Sequence, residues 1–188
     1  MTSRLFPVER SEPWLGAGPE AIVPVAMTCR LLQRATAMSE YEFTLSLHVR
    51  HPGIDPATIT ATLGIQPQHT WRAGEPRRDA AGAQLGGASR DSYWTGRLMA
   101  EPQVSSDAVS VESVILQTLS HLRRVQPFFE QLDADGGVAE LHVSIYARDD
   151  FRLELPSESL ALLARLHLAV VLEVHPHSPL EAAMSGTN

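Results

Sequence analysis

YEFTLSLHVR, residues 41–50, alternates without a break between apolar and polar side chains. The odd-numbered positions, Tyr41 to Val49, are apolar, and the even-numbered positions, Glu42 to Arg50, are polar or charged. Successive side chains of a β-strand point to opposite faces of the sheet. The pattern therefore predicts a strand with one face in the core and the other in water.

The same alternation returns in later segments of the chain. Tyr93–Leu98 is predicted to be a strand that turns Trp94 towards the core, and residues 139–146 repeat the half-exposed pattern. A short strand is expected at His69–Ala73, before an aperiodic loop that is rich in glycine and alanine. The last strand, Leu168–His175, is predicted to bury three side chains, namely Val170, Leu172 and Val174.

Three segments carry helical signals. Asp55 can cap a short helix that ends at Gly64, since glycine readily adopts the left-handed conformation of a helix terminus. A longer helix is predicted to start at Ser106 or Asp107 and to be interrupted at Pro127, because proline lacks the amide hydrogen that a helix interior needs. A third helix is predicted over residues 157–166.

These elements predict the fold class. Strands that are apolar on one side only belong to a sheet that helices cover on one face. We therefore predict a two-layer α+β fold with a mainly antiparallel sheet and the helices on one face. The order strand, helix, strand, strand, helix, strand is that of a ferredoxin-like core, and an extra helix and strand follow.

The chain length of 188 residues suits one core of ordinary size. Residues 38–176 are predicted to form this single domain. Residues 1–37 contain four prolines and no sustained period, so we expect a loose extension, or a stretch upstream of a true start at Met38. Residues 177–188 are expected to form a flexible tail.

The composition excludes several classes of function. Fifteen basic and 22 acidic residues give a net charge of −7, which argues against a general nucleic-acid binder. All basic residues are arginine, so lysine chemistry is impossible. The single Cys29 rules out an internal disulfide and a thiolate zinc site, which favours the cytoplasm. No membrane span and no cofactor motif are recognisable, so we predict no cofactor.

LGIQPQHTWRAGEPRR, residues 63–78, resembles a bacterial family known as domain of unknown function 4279. The resemblance covers about Tyr41 to Pro176. One departure is His167, which stands where glycine commonly ends the third helix of that family. The resemblance implies a small cytosolic domain without known catalytic residues, and it implies no mechanism. The matching positions are Leu63, Gly64, Ile65, Pro67, Gly74, Glu75, Trp94 and Pro127.

Two groups of residues are candidates for a site. An arginine-rich segment beside an aromatic ring can bind a phosphate, a carboxylate or a planar ligand. The alternative is that these residues only stabilise a turn and the edge of the core. The residues of this candidate ligand site are Trp71, Arg72, Gly74, Glu75, Arg77, Arg78, Trp94 and Arg97.

His48, His142 and His175 form the second candidate, because all three are predicted on the polar face of the sheet, where adjacent strands bring imidazoles together. They are a candidate metal site, and the alternative is three solvated side chains. The pairs Ser46 with His48 and Ser144 with His142 do not predict a hydrolase, since almost any chain provides such pairs.

We therefore predict a non-catalytic module that binds a protein partner through its polar sheet face and its glycine- and arginine-rich loop. The acidic charge suits a basic partner, as for an immunity protein that neutralises a basic toxin. The alternative is a sensor or enzyme for a small ligand that uses Trp71 and Arg72. Neither hypothesis involves nucleic acid or a membrane, and the oligomeric state stays open.

Overall fold

The computed structural model describes residues 41–79 and 82–176 of the chain. The extension predicted for residues 1–37 and the tail predicted for residues 177–188 lie outside the described residues. No helix in the described part is both long and apolar enough to cross a membrane. The described elements follow in the order β1 (Tyr41–His51), α1 (Pro56–Leu63), β2 (Pro67–Trp71), β3 (Pro76–Arg78), β4 (Gln84–Ala88), β5 (Ser92–Arg97), β6 (Val104–Ser105), α2 (Val111–Leu122), a 3₁₀ turn (Arg123–Val125), α3 (Gln126–Ala134), β7 (Val138–Ala147), α4 (Ser157–Arg165) and β8 (Leu168–His175).

The main sheet has β1 at its centre. Its strand order is β2-β5-β1-β7-β8, and the short β6 pairs with the start of β1. The pairs in this sheet are antiparallel apart from β7 with β8, which is parallel. The predicted two-layer α+β fold is confirmed, and α4 and β8 are the extra elements that extend the ferredoxin-like core beside β7.

The core lies between one face of this sheet and the helices. The odd-numbered residues of β1 are buried, and they form one cluster with the apolar side chains of β5, β7 and all four α-helices. Trp94 on β5 is fully buried, as predicted, and its Nε1 donates a hydrogen bond to Thr60 Oγ1 of α1 at 3.0 Å. The polar residues of β1 point to the opposite face, as the alternation predicts.

Local signals set the ends of two helices. Asp55 accepts a hydrogen bond from the Ala57 amide at 3.0 Å, and Gly64 ends α1 with a φ of 66°, both as predicted. His167 follows α4 with a φ of 52°, so it adopts the left-handed conformation that glycine adopts most readily at a helix end. Its Nδ1 lies 2.9 Å from Asp133 Oδ2.

Two predictions about loops and helix ends are wrong. The loop between β2 and β5 contains the two-stranded sheet of β3 and β4, whose residues are all exposed. The sequence of β3 and β4 does not alternate between apolar and polar residues, because neither face of this small sheet is buried. The helix predicted from Ser106 or Asp107 is capped by Ser110 instead, because Val104 and Ser105 pair with β1 as β6. It is interrupted as predicted, by the 3₁₀ turn that precedes Pro127.

The prediction for the last strand is wrong in its outer half. Leu172 and Val174 are 47% and 57% exposed. Both residues point to the helix side of the sheet, but β8 is its edge strand. The core buries Leu168 and partly buries Val170, in the first half of the strand.

Replacement of Gly96 by alanine tests the packing of α1 and β5 on the core. A Cβ at this position would lie 2.9 Å from Ile65 Cγ2 and 2.9 Å from a ring carbon of the fully buried Trp94. We expect Gly96→Ala to lower the free energy of unfolding by about 1–3 kcal/mol, measured by urea titration. Gly53→Ala is the control, because nothing lies within 4 Å of its added Cβ, and equal losses in both variants would contradict the packing argument.

Candidate functional site

The face of the main sheet opposite the helices is the candidate site, and we call it the polar sheet face. It is built by side chains from five neighbouring strands, all of which point away from the core. Its principal members are Trp71, Ser46, His48, Arg50, Tyr93, Arg97, Glu140, His142, Ser144 and Glu173.

Four rings cross this face from strand to strand, and we call them the ring row. Trp71 stacks on Tyr93 with ring centroids 4.2 Å apart and planes 20° apart. Tyr93 meets His48 edge to face at 5.9 Å. His48 stacks on His142 at 3.6 Å and 11°. The ring row thus links four strands, β2, β5, β1 and β7, through consecutive aromatic contacts.

Both ring nitrogens of His48 have hydrogen-bonding partners. Its Nδ1 lies 3.0 Å from the Tyr93 hydroxyl, and its Nε2 lies 3.0 Å from Ser46 Oγ. A neutral imidazole has one donor and one acceptor nitrogen, and a hydroxyl can act in either role. The two hydroxyls therefore satisfy neutral His48 and hold its ring in one orientation.

Burial and neighbouring charges shift the pKa values of two members of the ring row. Burial lowers the pKa of His48, and the adjacent His142 lowers it further, while Glu140 and Glu173 act in the opposite sense. Burial also raises the pKa of Tyr93, with a further contribution from Glu140. Both rings are therefore held in their neutral forms at pH 7.

Carboxylates surround the other imidazole. His142 Nε2 lies 3.3 Å from Glu140 Oε2, and its Nδ1 lies 3.9 Å from Glu173 Oε1. Glu140 also lies 3.6 Å from the guanidinium of Arg50, and Glu173 accepts a hydrogen bond from Ser144 Oγ at 3.3 Å. The side chains of the polar sheet face thus form a connected network that contains both basic and acidic groups, and most of them have a fixed partner.

Ser46 and its neighbours do not form a catalytic triad. Its Oγ does reach His48 Nε2, but the group behind His48 is the neutral phenol of Tyr93 rather than a carboxylate. A phenol does not stabilise the imidazolium that forms when a histidine takes a proton from a nucleophile. Ser144 contacts Glu173 instead of His142. In neither pair do a serine, a histidine and a carboxylate follow one another in hydrogen-bonding contact as they do in a catalytic triad.

The three predicted metal ligands are not brought together. His48 and His142 are in contact, but His175 stacks on Tyr146 at 4.9 Å, further along β7 and β8. In residues 41–79 and 82–176, no group of three or more histidine, cysteine or acidic side chains is arranged to hold a metal ion. Adjacent strands did bring two imidazoles into contact, whereas the third lies too far along its strand.

The predicted ligand segment is divided between a groove and other surfaces. Trp71, Arg72 and Glu75 line a groove of about 440 Å³ between α1 and β2. Arg72 Nη2 donates a hydrogen bond to Asp55 Oδ2 at 2.7 Å, so its charge is compensated by the residue that caps α1. Gly74 forms the turn beyond the groove, with a φ of 84° and its amide bonded to the Ser89 carbonyl at 2.8 Å.

The remaining members of that predicted site lie elsewhere. Arg77 and Arg78 are exposed on β3, where Arg78 donates to the Gly82 carbonyl at 3.1 Å. Arg97 lies on the polar sheet face, opposite Ser46. Trp94 is fully buried and contacts no solvent, so its inclusion in a ligand site was wrong and its prediction as a core residue was right.

Sequence reasoning missed three members of the polar sheet face that contact the histidines, namely Tyr93, Glu140 and Glu173. Their alternation does place all three on the polar side of their strands. Their proximity to the histidines depends on the strand order, on the register of β5 and β7 with β1, and on the register of β8 with β7, which no single strand specifies.

Acidification tests the environment of His48. Its pKa in the folded protein lies below the ordinary value of 6.5, so between these two values the unfolded chain binds a proton that the folded chain does not. The contribution of His48 to stability is therefore present above pH 6.5 and is lost as the pH falls towards the folded pKa. We expect the free energy of unfolding to decrease less between pH 7 and pH 5 in His48→Asn than in the wild type, measured by urea titration at each pH.

His69→Asn is the matched control for this experiment, since His69 is an exposed histidine on the edge strand β2. The effect of His48→Asn is read as its difference from this variant at each pH. A His48→Asn profile that parallels the wild type would show that the environment of His48 does not influence folding.

The comparisons with known proteins give one result. No curated protein and no solved structure matches the chain significantly. The model of one family matches residues 40–177, which are most of the chain and include every described strand and helix. The chain therefore belongs to the family described as Domain of unknown function (DUF4279).

Proposed function

We propose that this domain is a non-catalytic binding module that recognises a partner protein through the polar sheet face. The observation that carries the proposal is the ring row, a set of rings in consecutive contact on the face of the sheet to which no described helix contributes. Trp71, at one end of the row, is 40% exposed. Arg50 lies opposite Tyr93 on the neighbouring strand, and its side chain is 55% exposed.

The residue types on this face are those that dominate protein interfaces. Tryptophan, tyrosine and arginine are enriched among the residues that contribute most to binding. Rings that already stack on one another lose little conformational freedom when a partner packs on them. The fixed orientation of His48 between Tyr93 and Ser46 adds to this pre-organisation.

Charge supports a partner that is basic overall. The polar sheet face itself carries both signs, with Arg50 and Arg97 beside Glu140 and Glu173. The chain as a whole has a net charge of −7, which accelerates encounter with a positively charged protein. An immunity protein that neutralises a basic toxin in the cytoplasm is the narrowest version of this function.

The groove beside α1 favours a second candidate function. Its volume of about 440 Å³ lies in the range of small-molecule sites, and it combines an indole, a guanidinium and a carboxylate from Trp71, Arg72 and Glu75. A small anion with a planar part would bind Arg72 and stack on Trp71. The domain would then be a ligand sensor.

Two arginines with similar exposure allow the two surfaces to be tested separately. The side chains of Arg50 and Arg72 are 55% and 57% exposed, but Arg50 lies on the polar sheet face and Arg72 lines the groove. A partner is first recovered with the immobilised full chain from an extract of its source cells, and its affinity is then measured. We expect Arg50→Ala to weaken binding at least tenfold, or about 1.4 kcal/mol, and Arg72→Ala to change it less than twofold.

The opposite result, loss of binding in Arg72→Ala alone, would move the interface to the groove. High salt should slow association without abolishing the complex, because packing on the faces of the rings is insensitive to salt while the encounter is electrostatic.

A thermal-shift screen with inorganic phosphate and small carboxylates tests the second candidate. A ligand at a hundredfold excess over its dissociation constant stabilises the fold by about 2.7 kcal/mol. We expect Arg72→Ala to abolish any such rise in melting temperature and Arg50→Ala to preserve it. A rise that survives in Arg72→Ala would place the ligand outside the groove.

A further inference from the structure

Strand β8 forms one edge of the main sheet. In the described residues β7 is its only strand partner, so its outer row of backbone amides and carbonyls has no strand beside it. An edge strand of eight residues is a template for pairing with another strand, because each unpaired amide and carbonyl can form a ladder hydrogen bond.

The helix side of β8 is apolar and open. Leu172 pairs in register with Val143 and Val174 with Ile145, and both β7 residues are fully buried. Leu172 and Val174 therefore belong to the face that forms the core, yet they are 47% and 57% exposed. Leu160 on α4, the helix that precedes β8, is also exposed. The core thus continues to the edge of the sheet, where no described helix or strand covers Leu172 and Val174.

The two edges of the sheet differ in their protection. The opposite edge strand, β2, begins with Pro67, has an irregular register between Pro67 and His69, and carries polar side chains up to Trp71. Proline, irregular pairing and polar side chains are devices that prevent edge pairing. Strand β8, LAVVLEVH, has no proline and no arginine, and Glu173 is its single acidic residue. Within residues 41–79 and 82–176, one edge of the sheet is therefore protected and the other is able to pair.

We propose that two copies of this chain form a dimer by antiparallel pairing of their β8 strands. The strand is complementary to itself: a twofold axis at Leu172 sets Leu172 against its own copy and Val170 against Val174. It also sets the charged Glu173 against Val171, so that no two carboxylates face each other. The exposed apolar side chains of both copies then close the two cores against one another.

The dimer has one sheet that runs through both copies. Because directly opposed residues of paired strands share a face, the helices of both copies lie on one side and the two polar sheet faces lie on the other. This arrangement provides two copies of the proposed docking face on a single surface. The inference does not depend on that proposed function, since it rests on β8 alone.

Analytical ultracentrifugation of the full chain tests the dimer. We expect a mass twice that of the 20.6 kDa chain at micromolar concentration. Leu172→Arg should shift the species to the monomer, because it places a charge in the apolar contact. Leu85→Arg is the matched control, since Leu85 is 55% exposed on β4, away from β8, and this variant should remain dimeric. A monomeric wild type, or a Leu172→Arg variant that stays dimeric, would overturn the proposal.

A cross-linking experiment keeps the test independent of folding defects. In a Cys29→Ala chain, Leu172→Cys should form a disulfide-linked dimer on mild oxidation, because the axis brings the two positions together. The same chain with Leu85→Cys should stay monomeric on a denaturing gel. A Leu172→Cys chain that remains uncross-linked overturns the proposal.

Discussion

The alternation of β1 and its register with β7 constrain both the core and the candidate site. The two strands pair over the whole range from Tyr41 to Arg50. A slip of one residue would move Leu45 and Leu47 into water and His48 into the core, so burial of the apolar set fixes the register. The same register decides which polar side chains become neighbours on the opposite face. The contact of His48 with His142 is therefore a consequence of core packing as much as of their own attraction.

Features that depend on neighbours along the chain could be predicted from the sequence. Asp55 and Gly64 delimit α1 because a helix cap involves residues two to four positions apart. The helix predicted over residues 157–166 ends next to His167, which has the left-handed conformation of a helix terminus. Burial of Trp94 followed from the alternation of its own strand. Each of these inferences needed no knowledge of the strand order.

Features that depend on partners distant in sequence could not be predicted. Ser110, and not Ser106, caps α2 because the preceding residues pair with β1, and no local signal announces that pairing. The bounds of β8 were predicted correctly, but the burial of its side chains depends on how far the helix layer extends over the edge of the sheet. The candidate site shows the same limit, because Tyr93 and Glu173 reach the histidines from strands that are distant in sequence.

Glu173 connects the two surfaces that we propose. It belongs to β8, but its carboxylate points to the polar sheet face, where it accepts a hydrogen bond from Ser144 and lies 3.9 Å from His142. Its side chain is 48% exposed in the single chain. A second β8 strand would place Val171 of the other copy beside it, which reduces its contact with water and its freedom to move away from Ser144 and His142. Dimerisation at the edge would therefore also hold the His142 end of the ring row more firmly, and partner binding on that face would in turn favour the dimer.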